Sequence, residues 1–505
     1  MCLGISLSIL PGGPPLYYGL PFIGYGFILF LPKSWLRKVV DKYLEAAPDV
    51  VIVRMPFVFA VIKNDVVKEI QQNPDCLPRP RINYTDFLSW FATGTYDLSF
   101  CDGLRTSKTD QWQISRKLGI ASVYAGPKSK MAQKMGHTAD AFLKKIEKHE
   151  GTDWDPRIPM MMSKYQEVIH LFFGSLFKEE DLNLYVRGVI IGTHMGLFLA
   201  FFFKFLPMGL FRALNKLIKY VTGFDLGYPG DIYEQFLLRM YNEDKASHTE
   251  SDSRDYLEAI TASRKDPSEL IYYLREVTYV SIHAATHTTW HSMLSALSMF
   301  ALYPEVQQRA ADEIQQAIGR GEVTTDSLDK LSYLKAVISE TLRLYPAVPY
   351  PLRLTKRATV AGGFQLPRKI TVLPLIISEN MNPSRFVDPK EFRPERFLDD
   401  KGKFFHDPNL GTFSRGKRAC PGREFSYMSS SIYLTKILQH FTVAPPSKNA
   451  KLSEIGADFF TSAGRLDELR FMRREGAPPI RDVQFDTRLS TIFREVIAAQ
   501  GKKNI

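Results

Sequence analysis

Hydrophobic residues recur along this chain with two periods, and the changes of period mark its organisation. Near the front, Asp49-Val-Val-Ile-Val-Arg54 and Phe57-Val-Phe-Ala-Val-Ile62 are β-branched and aromatic runs parted by Met55-Pro56. This pattern predicts a hairpin, with a basic helix before it over Ser34 to Ala46. From about residue 110 to 345 the spacing is helical. Pro267 to Tyr303 is long and free of internal Pro or Gly. Pro304 to Ile318 and Asp326 to Leu344 follow as helices, bounded by Pro, Gly or Ser/Thr/Asp. Short strands are predicted over Pro349 to Ile377, with Gly362-Gly363 as a turn. Residues 380–420 lose periodicity and are rich in Pro, Asp and Arg. A long ordered loop of this kind is uncommon unless it serves function. Helical spacing resumes after Gly422 and runs to His440. The expectation is a mainly α fold with small β-sheets (α+β). One large domain is expected over 33–489, after an apolar Pro/Gly-rich segment at 1–32 and before a tail at 490–505.

Two apolar stretches bear on membranes. Leu16 to Leu31 is broken by Gly19, Pro21, Gly24 and Gly26, whereas a span needs about 20 apolar residues. It reads as a loop-rich lead-in with membrane contact and not as an anchor. Gly196 to Phe211 holds six Phe, is cut by Lys204 and Pro207, and is flanked by Arg212, Lys216 and Lys219. Such a segment suits an element lying in a membrane interface, or a buried helix pair around a cavity.

Composition narrows the classes. In 505 residues, 65 Lys+Arg against 54 Asp+Glu leave a net charge of +11. No run of five basic residues occurs, which argues against nucleic acid. The excess suits an acidic protein partner or an anionic membrane surface. Length alone points to several domains. The four cysteines, Cys2, Cys76, Cys101 and Cys420, are too few for a disulfide scaffold and form no CxxC pair.

One cysteine has a chemical setting. In Phe413-Ser-Arg-Gly416-Lys-Arg418-Ala-Cys420-Pro421-Gly422 it stands where a loop becomes a helix. Gly416 allows a left-handed turn and Gly422 a close backbone approach. Arg418 and a following helix N-terminus favour thiolate over thiol, and Phe413 can shield it. An anionic sulfur beside an arginine meets the demands of a thiolate-ligated haem with its propionates. An inert buried cysteine is the plain alternative.

The same stretch resembles the haem-binding signature FxxGxRxCxG of the cytochrome P450 family, matched by Phe413, Gly416, Arg418, Cys420 and Gly422. Ser414 stands where glycine is common. Glu340-Thr-Leu-Arg343 resembles the ExxR element, Phe392-Arg-Pro394-Glu395-Arg396-Phe397 the PERF element, and Trp112-Gln-Ile-Ser-Arg116 the WxxxR element. The resemblance runs from Pro14 to about Arg488, and the chain looks like a eukaryotic microsomal-type, fungal-like member. It implies haem b with Cys420 as axial iron ligand and O2 as co-substrate. It implies propionate contacts from Arg418, Arg116, Trp112 and Arg353, and a buried ion cluster of Glu340, Arg343 and Arg396.

His283 to Trp290 resembles the family's oxygen-activating helix. Ala285 takes the Gly position, Thr288 the threonine position, and His287 the place of an acid. The resemblance implies that Thr288 relays protons and bends the helix. His287 either shuttles protons, as imidazole can near neutral pH, or only packs. Similar histidines occur in fungal relatives that oxidise terpenoids. Trp90, Phe91, Ala284, Ala285, Val348, Tyr350 and Phe460 fall at the family's substrate-contact positions, and ligand pockets are mostly apolar. The implied activity is oxygen insertion into a bulky apolar substrate, such as a terpenoid, steroid or other secondary metabolite. The chain after Gly422 is too short for a flavin domain, so the reading expects a separate NADPH-cytochrome P450 reductase, with cytochrome b5 as a second donor. Arg415, Lys417 and Arg423 would suit that acidic partner, or else form a solvated charged rim. The implied location is the cytosolic face of the endoplasmic reticulum membrane. The alternative is a haem-thiolate isomerase or lyase that rearranges a peroxide, against which Thr288 argues.

Overall fold

The computed structural model describes residues 48–54, 58–77, 126–173, 267–452 and 464–483. Short pieces at 7–8, 15–17, 116–117 and 123–124 and single positions at 120 and 220 complete it. The predicted helix at Ser34 to Ala46, the Phe-rich stretch, and Trp90, Phe91, Trp112 and Phe460 lie outside the described residues. The chain divides into two compact units. One comprises Met1–Pro80, Ile146–Met160 and His287–Pro478, and the other Arg81–Lys145, Met161–Thr286 and Pro479–Ile505.

The described strands all belong to the first unit. They are β1 (Leu7–Ser8), β2 (Pro15–Tyr17), β3 (Val50–Arg54), β4 (Val58–Ile62), β5 (Asp153–Trp154) and β6 (Arg353–Leu354). After them come β7 (Thr359–Ala361), β8 (Phe364–Leu366), β9 (Thr371–Pro374), β10 (Phe441–Ala444) and β11 (Leu469–Arg473). The helices are α1 (Asn64–Gln72), α2 (Lys128–Glu147), α3 (Arg157–Phe173), α4 (Pro267–Leu302) and α5 (Pro304–Ala317). Then follow α6 (Thr325–Asp329), α7 (Ser332–Leu344), α8 (Ile376–Asn380) and α9 (Arg423–His440).

The predicted hairpin is present: β3 and β4 pair antiparallel with Val50 opposite Ile62. They sit inside a six-stranded sheet of order β1-β2-β3-β4-β9-β6. The runs are apolar at successive positions because both faces are covered. Val50, Ile52, Ala60 and Ile62 pack with Val66, Val67 and Ile70 of α1, while Val51 and Val61 pack with Leu375 on the other side. Gly362 and Gly363 turn between β7 and β8 with φ of 53° and 80°. At Gly362 a Cβ would also stand 2.8 Å from a Val66 methyl.

Two departures from the sequence reading have clear causes. The helix expected over Asp326 to Leu344 is two, α6 and α7. No Pro or Gly marks the break; the Glu313 carboxylate on α5 makes it by accepting from Tyr333 N at 2.7 Å and Leu334 N at 2.9 Å. A helix start capped from another helix leaves no local signal. The three-stranded sheet β10-β11-β5 was also not anticipated. Its short strand β5 pairs Trp154 with Leu469, and the stack of His149 on Trp154 with centroids 4.8 Å apart supports it.

The long aperiodic loop is ordered by its own apolar residues. Phe386 and Phe397 pack on Ala336 of α7 with Leu398, Phe404 and Leu410. Helix α9 starts at Arg423, as its spacing predicts, and is buried along most of its length. In the second unit, Lys164 and Glu167 of α3 form a fully buried ion pair. No helix among the described residues is long and apolar enough to cross a membrane.

Candidate active site

Helix α7 places Glu340 and Arg343 one turn apart, both completely buried. Arg343 clamps the carboxylate in two-point fashion, Nε to Oε2 at 2.7 Å and Nη2 to Oε1 at 2.8 Å. The remaining donors of Arg343 go to backbone carbonyls of the long loop: Asn380 at 3.0 Å, Pro389 at 2.7 Å and Glu391 at 3.0 Å. Glu340 Oε1 also accepts from Arg393 N at 2.9 Å and Arg396 Nε at 3.3 Å. Burial lowers the Arg396 pKa from its ordinary value, and the Glu340 charge works against that. The three predicted cluster residues are therefore brought together, and their donors fasten the loop onto α7.

The next length of the same loop carries the cysteine. Cys420 N donates to Phe413 O at 2.7 Å and Ala419 N to Gly416 O at 3.1 Å, which closes the loop on itself. Gly416 is left-handed at φ 67°, and a Cβ there would stand 3.2 Å from the Gln71 carbonyl on α1. Both facts require glycine. Ser414 is left-handed too, at φ 56°, a conformation that costs an L-residue about 1 kcal/mol. The glycine common at this position is explained by that backbone. Here Ser414 Oγ accepts from Arg353 Nη2 at 3.1 Å. Gly422 has an ordinary φ, but a Cβ there would approach Cys420 Sγ to 3.9 Å. Phe413 packs against Tyr427 with centroids 5.7 Å apart.

Cys420 is exposed, whereas Cys76 is buried and its thiol is pushed up to about 12, chiefly by desolvation. The first turn of α9 follows Cys420 at once, and the amides of a helix N-terminus favour an anionic sulfur. Two guanidiniums belong to the same neighbourhood. Arg353 is 1% exposed and Arg418 is 5% exposed. Arg353 also donates to Leu352 O at 3.0 Å, and Arg418 Nε to Leu77 O at 2.9 Å. Arg415 is corrected by the structure. It was grouped with exposed Lys417 and Arg423, yet it turns inward with its side chain 11% exposed.

On α4, His287 and Thr288 are half-buried and Thr286 and Thr289 are buried. Ser292 Oγ donates back to Thr288 O at 2.8 Å. His287 lies within electrostatic reach of His291, which is fully buried and stacked on Trp290 at 3.7 Å. Burial lowers the His291 pKa well below the ordinary histidine value, and His287 and Arg465 reinforce this. Sequence reasoning missed His291 and Arg465; the recurrence His287-x-x-x-His291 was the available signal. Among the substrate-contact candidates, Ala284 is exposed, and Ala285 and Val348 are half-buried. Tyr350 packs against the Val51, Val61 and Leu375 cluster. Arg116 is half-buried and belongs to the second unit.

These residues suit a thiolate-ligated haem. A soft sulfur at a helix start matches iron, and two guanidiniums tied to its loop match carboxylates. The class so defined is haem-thiolate. The sequence pattern described as Cytochrome P450 matches residues 14–465. Cytochrome P450 2F3 of Capra hircus is 28% identical over 360 residues, covering 68% of this chain and 72% of the relative. Cytochrome P450 2U1 of Mus musculus is 27% identical over 382 residues, covering 67% and 68%. Cytochrome P450 2F1 of Homo sapiens is 26% identical over 363 residues, covering 68% and 72%. The chain belongs to the cytochrome P450 family. It is a monooxygenase of that family, which uses thiolate-ligated haem and O2. These relatives are mammalian, and a fungal-like origin finds no support among them.

Proposed function

We propose that Cys420 would hold the haem iron through its thiolate and that the enzyme inserts one oxygen atom of O2 into a C–H bond of a bulky apolar molecule, of terpenoid or steroid type. The observation that carries this is the place of Cys420 at the start of α9, on a loop held by two buried arginines. When bound, the haem would supply dioxygen activation, tuned by electron donation from the Cys420 thiolate. The balance is one substrate and one O2 with two electrons and two protons, giving alcohol and water. Arg418 and Arg353 would hold the propionates, with Arg116 and Trp112 as the further contacts that the family resemblance implies. Thr288 passes protons toward the oxygen site through its hydroxyl, and His287 joins that relay from the same helix. Ala284, Ala285, Val348, Tyr350, Trp90, Phe91 and Phe460 give the apolar lining that positions substrate and excludes water.

Electrons come from a separate NADPH-cytochrome P450 reductase, with cytochrome b5 as a second donor. Exposed Lys417 and Arg423 are basic groups suited to an acidic partner. Residues 33–489 form the haem domain, and the segment at 1–32 contacts the cytosolic face of the endoplasmic reticulum membrane.

The deciding experiment is the carbon monoxide difference spectrum of the reduced protein, followed by incubation with NADPH, reductase and terpenoid or steroid substrates. A thiolate-type Soret band and an oxidised product formed only with NADPH are expected; a thiol-type band refutes the assignment of Cys420. Thr288→Ala is expected to lower product formation by about 100-fold while NADPH consumption continues, its electrons going to peroxide or water. Unchanged coupling would remove Thr288 from the relay.

A further inference from the structure

Beside the Glu340 cluster stands a second buried carboxylate that no motif announces. Glu379 on α8 is completely buried between two guanidiniums. Arg415 Nη1 donates to both its oxygens, at 2.8 and 3.0 Å, and Arg385 Nη1 reaches Oε1 at 2.5 Å. Arg385 also pairs with Asp65 on α1, at 2.5 Å. Arg415 Nη1 also donates to Gln71 Oε1 at 2.8 Å, and its Nε donates to Pro408 O at 2.9 Å. The fit around the carboxylate is close, since a Cβ on Gly411 would fall 2.1 Å from Glu379 Oε2.

The neighbouring residue repeats the pattern. Asn380 accepts from Gly411 N at 3.0 Å and donates to Thr412 Oγ1 and Arg343 O, each at 3.1 Å. Two consecutive side chains of α8 thus hold the loop at Gly411, Thr412 and Arg415. These residues precede Cys420 directly, and the Cys420 N to Phe413 O bond passes their position on to the sulfur.

We infer that Glu379 and Arg415 are a positioning pair for the Cys420 loop, and that their opposite charges set the electron affinity of the group Cys420 holds. This rests on the reading of Cys420 as the haem ligand. An ion pair serving only the fold would tolerate any replacement that keeps the loop folded. A pair that also tunes the iron responds to the sign of the charge removed. Without the Glu379 charge, Arg415 and Arg385 favour the reduced state; without the Arg415 charge, Glu379 disfavours it.

The test uses the haem-loaded full chain and the variants E379Q, R415Q and E379Q/R415Q, with potentiometric titration and the carbon monoxide complex of the reduced protein as readouts. The midpoint potential is expected to rise in E379Q and fall in R415Q. Each shift is about threefold in the reduction equilibrium, or about 28 mV for one electron. In both single variants the carbon monoxide complex should convert faster from thiolate to thiol type, and the double variant should return toward the parent. Unchanged potentials in both single variants, or shifts of the same sign, overturn the proposal. If E379Q does not load haem, R415Q decides alone: a lower potential supports the pairing and an unchanged one overturns it. A parent protein lacking the thiolate-type band is a different result, which removes the Cys420 assignment itself.

Discussion

Glu340→Ala is expected to give a protein that takes up little or no haem, not one that merely turns over slowly. Glu340 accepts from Arg343, Arg396 and the Arg393 amide, inside a site without solvent. Removing the carboxylate leaves the buried Arg343 guanidinium with carbonyl partners but no counter-charge. Breaking a buried pair in this way costs about 3–5 kcal/mol, a large fraction of the stability of an ordinary domain. The damage falls first on the loop that Arg343 fastens through Asn380, Pro389 and Glu391, and that loop leads to Cys420. The check is haem content per polypeptide, with thermal unfolding of the same sample. A folded variant with full haem content would show that the cluster does not govern assembly.

Cys420→Ser is the counterpart, with intact fold and lost chemistry. The loop is closed through the backbone, by the bond from Cys420 N to Phe413 O at 2.7 Å. Serine keeps that backbone bond, so the polypeptide is expected to fold, and any loss of stability is limited to what the bound haem contributes. Serine offers iron a hard, weakly acidic oxygen in place of a thiolate. The thiolate-type band is expected to vanish, and product formation with NADPH and reductase to fall below detection. Comparing the two variants separates the architecture of the site from its reactive atom. Retention of the thiolate-type spectrum in Cys420→Ser would move the ligand elsewhere in the chain.

Reading the sequence reached the parts of this molecule whose signals are local. The β3–β4 hairpin, the long α4, the turn at Gly362-Gly363 and the start of α9 follow from period and turn chemistry. The motif residues around Cys420 and Glu340 were legible through their resemblance to cytochrome P450 elements, not through spacing alone. What escaped depends on contacts between distant segments. The end of α6 is set by Glu313 reaching the start of α7. Strand β5 exists because Leu469 and Arg470 arrive beside it. Arg415 reads as one more surface cation until Glu379 and Gln71 are seen to receive it. Ser414 reads as a mild departure until its φ and its bond to Arg353 show what the usual glycine accommodates.

The parallel pairing of β4 with β9, Phe59 beside Thr371, has a kinetic consequence. During synthesis the front of the chain emerges with its hairpin made but its neighbour strand hundreds of residues away. Loop-closure entropy must be met before that contact returns any stability, so topologies of this kind fold slowly. The mould for the cysteine loop inherits the delay, because Gln71 on α1 meets Arg415 across 344 residues. Cofactor capture is therefore expected late in folding, after the segments around Gln71 and Arg415 have met.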